Sequence, residues 1–113
     1  MDNIETLSTT TAPVDGENLL LVHFGRPYQF EGKTYHEVDL SGMDDLTAED
    51  MIAADRYLSR NGNVSVMPEM SVEYACFIAS QASGLPVEFF RRLPIKSATK
   101  IKNRVTNFIY SEG

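Results

Sequence analysis

Apolar residues in this chain recur first with the two-residue alternation of strands and later with the three- and four-residue spacing of helices. The run Leu19 to Phe24 is too short for a typical helix and is closed by Gly25 and Pro27, so it predicts a buried strand. Tyr28 to Phe30 and Lys33 to Leu40 flank Glu31-Gly32, where glycine supplies the positive backbone angle of a two-residue turn. That is a β-hairpin. A simple register sets Tyr28 opposite Tyr35 and Arg26 opposite Glu37, but it would also set Phe24 against Asp39. A bulge or break near Gly25 resolves the conflict. In the second strand His36, Val38 and Leu40 share one face and Tyr35, Glu37 and Asp39 the other, the pattern of a sheet wet on one side.

Helices follow to cover that sheet. Thr47 can cap the first, with Asp50 three residues on and Leu46 and Met51 placed as a hydrophobic staple; the helix extends to about Ser59. Asn61-Gly62 and Pro68 bound a loop of roughly ten residues, longer than the usual four to six. Ser71 caps a second helix in which Val72, Ala75, Cys76, Ala79 and Ala82 keep helical spacing while Tyr74, Phe77 and Ile78 fill the remaining arc. A helix apolar nearly all round is a central one, or one with a face kept for another chain. Gly84 suits its left-handed end, Pro86 the first turn of a short third helix from Val87 to Leu93, and Pro94 blocks direct continuation. The last helix starts at Ser97 and carries an apolar stripe of Ile101, Val105, Phe108 and Ile109 between Lys100, Lys102 and Arg104.

These elements give an α+β fold, an N-terminal antiparallel β-hairpin or small sheet packed against a bundle of three to four α-helices. Residues 1–18, rich in Ser, Thr, Asp and Glu and without a sustained apolar period, read as a flexible arm before a single domain at 19–113. A chain of 113 residues has room for one such domain and one core. A core that small leaves little spare stability, which makes self-association into a homo-oligomer an expectation.

Composition narrows the function. At 42% hydrophobic and 23% charged the chain is an ordinary folded protein, and no stretch reaches the roughly 20 apolar residues of a membrane span. A single cysteine, Cys76, excludes an internal disulfide and a multi-cysteine zinc site, in keeping with a reducing cytoplasm. The net charge of −6 disfavours nucleic acid, yet it is unevenly spread. Residues 1–80 hold four basic residues against fourteen acids, whereas from Gln81 onward six basic residues face two acids. A solvated helix face accounts for the basic end most simply; a surface for an acidic partner, or head-to-tail attraction between copies, is the functional alternative.

Catalytic chemistry is hard to assemble. His23 and His36 fall on strands with no ligand-type residue at metal spacing, and His36 is expected to be a partly buried sheet residue. Cys76 sits among Ala75, Phe77 and Ile78, a setting for a structural thiol and not a nucleophile. Gly32-Lys33-Thr34 is only the tail of a phosphate-binding loop and lies in a hairpin. Asp44, Asp45, Glu49 and Asp50 enter a helix, where acids favour the dipole. No catalytic residue, metal or cofactor is therefore assigned. What remain are surfaces. Leu85-Pro86-Val87-Glu88-Phe89-Phe90 is unusually apolar for a turn entering a short helix, and adjacent phenylalanines cannot point the same way; one packs inward and one binds, or both fill the core. The candidate partner-binding set is Leu85, Phe89, Phe90, Ile101, Val105 and Phe108, the apolar positions near the basic helices.

The order of segments carries more than any one motif. Phe30-Glu31-Gly32-Lys33-Thr34-Tyr35 leads to Val38-Asp39-Leu40 and Leu46-Thr47-Ala48-Glu49-Asp50; later come Ala79-Ser80-Gln81-Ala82-Ser83-Gly84-Leu85-Pro86, Leu93-Pro94 and Val105-Thr106-Asn107-Phe108. Over about residues 19–110 this resembles the phage tail assembly chaperone family of the Mu-like and P2-like kind. The chain departs from it at Lys96-Ser97, where the family often has an acid after its Leu-Pro, and in the segment before Leu19.

The resemblance implies a non-catalytic protein that binds the tape measure protein, the long helical chain that fixes tail length, and keeps it soluble until tube subunits polymerise. It further implies action in the host cell cytoplasm and absence from the mature virion. The tail tube protein and a longer frameshifted form of the same chain are the other partners it suggests. Two other classes compete: a structural tail component, such as a small tube or completion protein retained in the particle, and a small regulatory binding module.

Overall fold

The computed structural model describes residues 20–62 and 66–111; the segment 1–18 read as an arm lies outside them. Strands β1 (Leu21–Phe30) and β2 (Lys33–Asp39) pair antiparallel as a two-stranded sheet. The turn needs left-handed backbone at both central positions, with φ of 50° at Glu31 and 82° at Gly32. This is the primed geometry that matches the strands' twist, and Glu31 bears the strain that glycine avoids.

Tyr28 does face Tyr35, but Glu37 faces His23 and not Arg26, and Leu21 takes the place opposite Asp39. Gly25 and Pro27 do not end a strand as expected: β1 continues through them, and the irregularity lies between His23 and Tyr28. Across it β1 advances five residues while β2 advances two, a surplus of three. Because side chains alternate with a period of two, an odd surplus exchanges the faces of β2. Val38 is thus buried at the base of the hairpin, while nearer the tip Tyr35 turns inward and His36 outward. The single-face alternation read for β2, and a partly buried His36, are both corrected by that exchange.

After a 3-10 turn at Ser41–Asp45 come four helices: α1 (Ala48–Arg60), α2 (Val72–Ser83), α3 (Val87–Arg91) and α4 (Ile95–Tyr110). The chain is thus an α+β fold, a two-stranded sheet followed by four helices. Thr47 Oγ1 accepts the Glu49 N–H at 3.3 Å while the Asp50 carboxylate accepts the Thr47 N–H at 2.9 Å, so the cap read from sequence forms. Ser71 Oγ accepts the Tyr74 N–H at 3.1 Å, and Gly84 ends α2 with φ of 80°. Helix α2 is the central one. It packs on α1, α3, α4 and the 3-10 turn, and buries Tyr74, Ala75, Cys76, Ile78 and Ala79.

The start of α4 differs from the expectation. Pro94 is not a break followed by a Ser97 cap: its extended backbone is itself the N-cap, and the helix begins at Ile95. Proline is tolerated there because the first N–H groups of a helix lack an internal partner in any case. Ser97 consequently lies inside the first turn and is only 6% exposed.

Phe89 anchors the sheet to the helices. It is fully buried, with Phe24, Tyr28, Phe30, Tyr35 and Phe90 around it at ring-centroid distances of 4.8 to 6.3 Å, and Tyr28 Oη donates to its carbonyl at 2.8 Å. Edge-to-face packing of this kind adds to the burial energy of each ring. Gly42 sets a second close approach. A β-carbon there would overlap the Ala82 carbonyl oxygen, so only glycine lets the 3-10 turn lie against the end of α2.

Candidate functional site

An apolar groove opens where the 3-10 turn and the first turn of α1 meet α2 and the end of α4. Met43, Leu46, Met51, Ile78, Phe108 and Ile109 form its apolar walls, with Thr47, Ala48 and Asp50 at its edge. Each element contributes for a local reason. Gly42 brings Met43 down onto α2, the Thr47 cap sets where α1 begins, and helical spacing puts Phe108 and Ile109 beside the buried Ile101 and Val105 of the α4 stripe. Asp50 is the acid at the groove's edge, while Asp44, Asp45 and Glu49 are exposed on the same stretch of chain. The Thr47 N–H above all holds the Asp50 carboxyl below the ordinary carboxylate range, and the Gln81 side-chain amide reaches it at 3.4 Å. Asp50 is thus a fixed charge, not a titrating base.

With a volume of about 290 Å³ the groove is at or below the roughly 300 to 1,000 Å³ of ordinary small-molecule sites. Its walls hold no nucleophile and no acid–base pair. They present hydrophobic area, as a groove for another polypeptide's side chains does. Met51 and Ile52, 39% and 48% exposed, extend that surface outward along α1.

Of the candidate partner-binding residues, Phe108 lines this groove and is half-buried. Phe89, Phe90, Ile101 and Val105 are core residues at 0 to 1% exposure, so both adjacent phenylalanines point inward and none of the four offers surface in the closed fold. Leu85 is half-buried at the α2–α3 corner, where its carbonyl accepts the Ser80 hydroxyl at 2.6 Å. Sequence reasoning passed over Met43, Ile78 and Met51 as groove walls. Leu46 and Met51 were legible only as a staple, and their shared opening onto Phe108 is a contact between distant parts of the chain.

Cys76 is buried, and burial pushes its thiol up to about 11, an inert setting. His23 and His36 are both exposed; His23 Nδ1 lies 3.2 Å from Glu37. Among the described residues no group of three or more His, Cys, Asp or Glu is placed to hold a metal, and no helix is long and apolar enough to cross a membrane.

A family model described as phage tail assembly chaperone proteins, E, or 41 or 14, matches residues 22–109. The match takes in both strands and nearly all of the four helices, and the chain belongs to this family of phage tail assembly chaperones. It acts with protein partners during the building of phage tails in the host cell, and the family is generally non-catalytic. No curated protein matches the chain, and no solved structure does.

Proposed function

We propose that this protein binds the tape measure protein and keeps it soluble until tail tube subunits polymerise around it, taking amphipathic helical segments of that chain in the groove beside Phe108. The observation that supports the reading is an open apolar groove with Asp50 at its edge on a family member otherwise built around a closed core. A long helical partner with exposed apolar stripes aggregates unless those stripes are covered, and a groove of about 290 Å³ covers them a few side chains at a time. Asp50, with the exposed Asp44, Asp45 and Glu49 on the same stretch of chain, favours segments whose apolar stripe is flanked by Lys or Arg, and such charge raises the rate of encounter more than the final affinity. The reading has the protein working in host cytoplasm and leaving before the virion is complete. The tube protein and a longer frameshifted form of the same chain are further partners at that step.

The test is co-expression with the long helical protein of the same tail gene cluster. The parent chain is expected to keep that protein in the soluble fraction and to co-purify with it, whereas Phe108→Asp combined with Met51→Asp abolishes both while remaining folded by circular dichroism. A partner that stays equally insoluble with and without the parent chain overturns the proposal. So does recovery of the chain as a stoichiometric component of purified mature tails.

A further inference from the structure

A second cavity, away from the groove, lies between the irregular stretch of β1 and the first turns of α4. Its walls are Gly25, Arg26, Pro27 and Tyr28 on one side and Pro94, Ile95, Lys96, Ser97 and Lys100 on the other. Three cations line it and no carboxylate does, in a chain whose net charge is −6. The start of α4 is electropositive by construction. Its N-cap is a proline with no side-chain hydrogen bond, and its first turn holds no acid, so the N–H groups of Ile95, Lys96 and Ser97 keep no protein acceptor among the described residues. Most helices place an acceptor or an acid there to offset the dipole. This one places Lys96, followed by Lys100 on the same face four residues on, a like-charge pair that costs stability unless an anion lies between.

Ser97 supplies an independent observation. It is 94% buried by its 6% exposure, it lines the cavity, and its hydroxyl makes no hydrogen bond among the described residues. The fully buried side-chain atoms without a partner among the described residues are Arg104 Nε and Thr106 Oγ1; the Ser97 oxygen is not one of them, so it stays open to the cavity it lines, free to donate. Lys100 Nζ donates to the His23 carbonyl at 2.9 Å, which fixes the ammonium beside the cavity and leaves two of its N–H donors for a ligand.

We propose that this cavity is an oxyanion-binding site that takes a phosphate or carboxylate group, with Ser97 Oγ and the first-turn N–H groups donating hydrogen bonds and Arg26, Lys96 and Lys100 supplying charge. The donors converge as they do wherever a helix N-terminus meets an anion. The site is independent of the groove reading, because it uses other residues and the opposite sign of charge.

Amide NMR of the full chain tests it, with sodium phosphate titrated against sodium chloride at matched ionic strength. Saturable shifts confined to Ile95, Lys96, Ser97 and the Arg26 stretch are expected with phosphate. Ser97→Ala should weaken that binding by about tenfold, the effect of losing one hydrogen bond to a charged group, without lowering the melting temperature of the free protein. An N-acetylated peptide carrying consecutive glutamates separates the two sources of the ligand. Saturation by the peptide below the concentration needed for phosphate assigns the site to a polypeptide carboxylate, and the reverse order assigns it to a free ion. Shifts that rise linearly and equally with phosphate and chloride, or phosphate binding unchanged in Ser97→Ala and in Lys96→Gln combined with Arg26→Gln, overturn the proposal.

Discussion

Replacing Gly42 by alanine adds one methyl group where the structure has no room for it. The new carbon would overlap the Ala82 carbonyl oxygen and lie 3.1 Å from the carbonyl carbon and 3.4 Å from Cα. All three are backbone atoms in the last turn of α2, so no side chain can swing away. Restoring ordinary contact requires the 3-10 turn to move by roughly an ångström. Overpacking of this kind costs about 1 to 3 kcal/mol, equivalent to about 4 to 8 °C in melting temperature per kcal/mol for a domain of this size. Met43, only 2% exposed, moves with the turn, so the groove should lose affinity for its partner as well. Gly25→Ala is the matched control. A β-carbon there meets nothing within 4 Å and its φ is not in the left-handed range. The assay is urea unfolding of the two variants beside the parent, followed by circular dichroism. A Gly42→Ala midpoint indistinguishable from that of Gly25→Ala would refute the close approach and the account of the groove built on it.

Phe89→Ala should destabilise the fold by about 3 to 5 kcal/mol, since it empties the site where the strand aromatics meet α3, whereas Phe108→Ala, half-buried at the groove, should cost well under half as much. Denaturant titration of both checks the order, and a reversal would mean that the core is centred elsewhere. A third outcome concerns alkaline pH. Burial raises the Cys76 thiol to about 11 from 9.0 and the Tyr74 phenol to about 12 from 10.0. Each folded value exceeds its unfolded one, so this stability is fully present below pH about 9 and is lost as pH rises towards 11 and then 12, where the open chain ionises first. Unfolding midpoints at pH 8, 10 and 11 should therefore fall, and fall less in Cys76→Ala; equal declines would show that the thiol does not contribute.

Local signals carried much of the fold. The Thr47 and Ser71 caps, the left-handed Gly84, the Glu31-Gly32 turn and the apolar-all-round α2 each depend on residues within a few positions of one another, and all appear in the structure. The sequence also pointed to an irregularity near Gly25, because a continuous register would have paired Phe24 with Asp39. How many residues it absorbed was not legible. Its size depends on what the strand packs against, and that number decides which side of β2 meets Phe89.

Pro94 shows the limit from the other side. Proline read alone separates two segments, yet the same fixed φ suits an N-cap, and only packing of the α4 stripe against α2 and β1 chooses between these roles. The candidate site divided in the same way. Apolar spacing identified Ile101, Val105 and Phe108 as one stripe, but periodicity assigns a face and not a depth. The tertiary structure buried the first two and left Phe108, with Ile109, at a groove whose other walls come from positions 43 to 78. Sequence alone determined the order and type of the elements and the Thr47, Ser71 and Gly84 helix ends, because those are short-range preferences of backbone and side chain, but not the end of β1 or the start of α4. Which apolar residues close the core and which stay open to a partner was settled by packing between distant segments, since burial is a property of what arrives opposite and not of the residue itself.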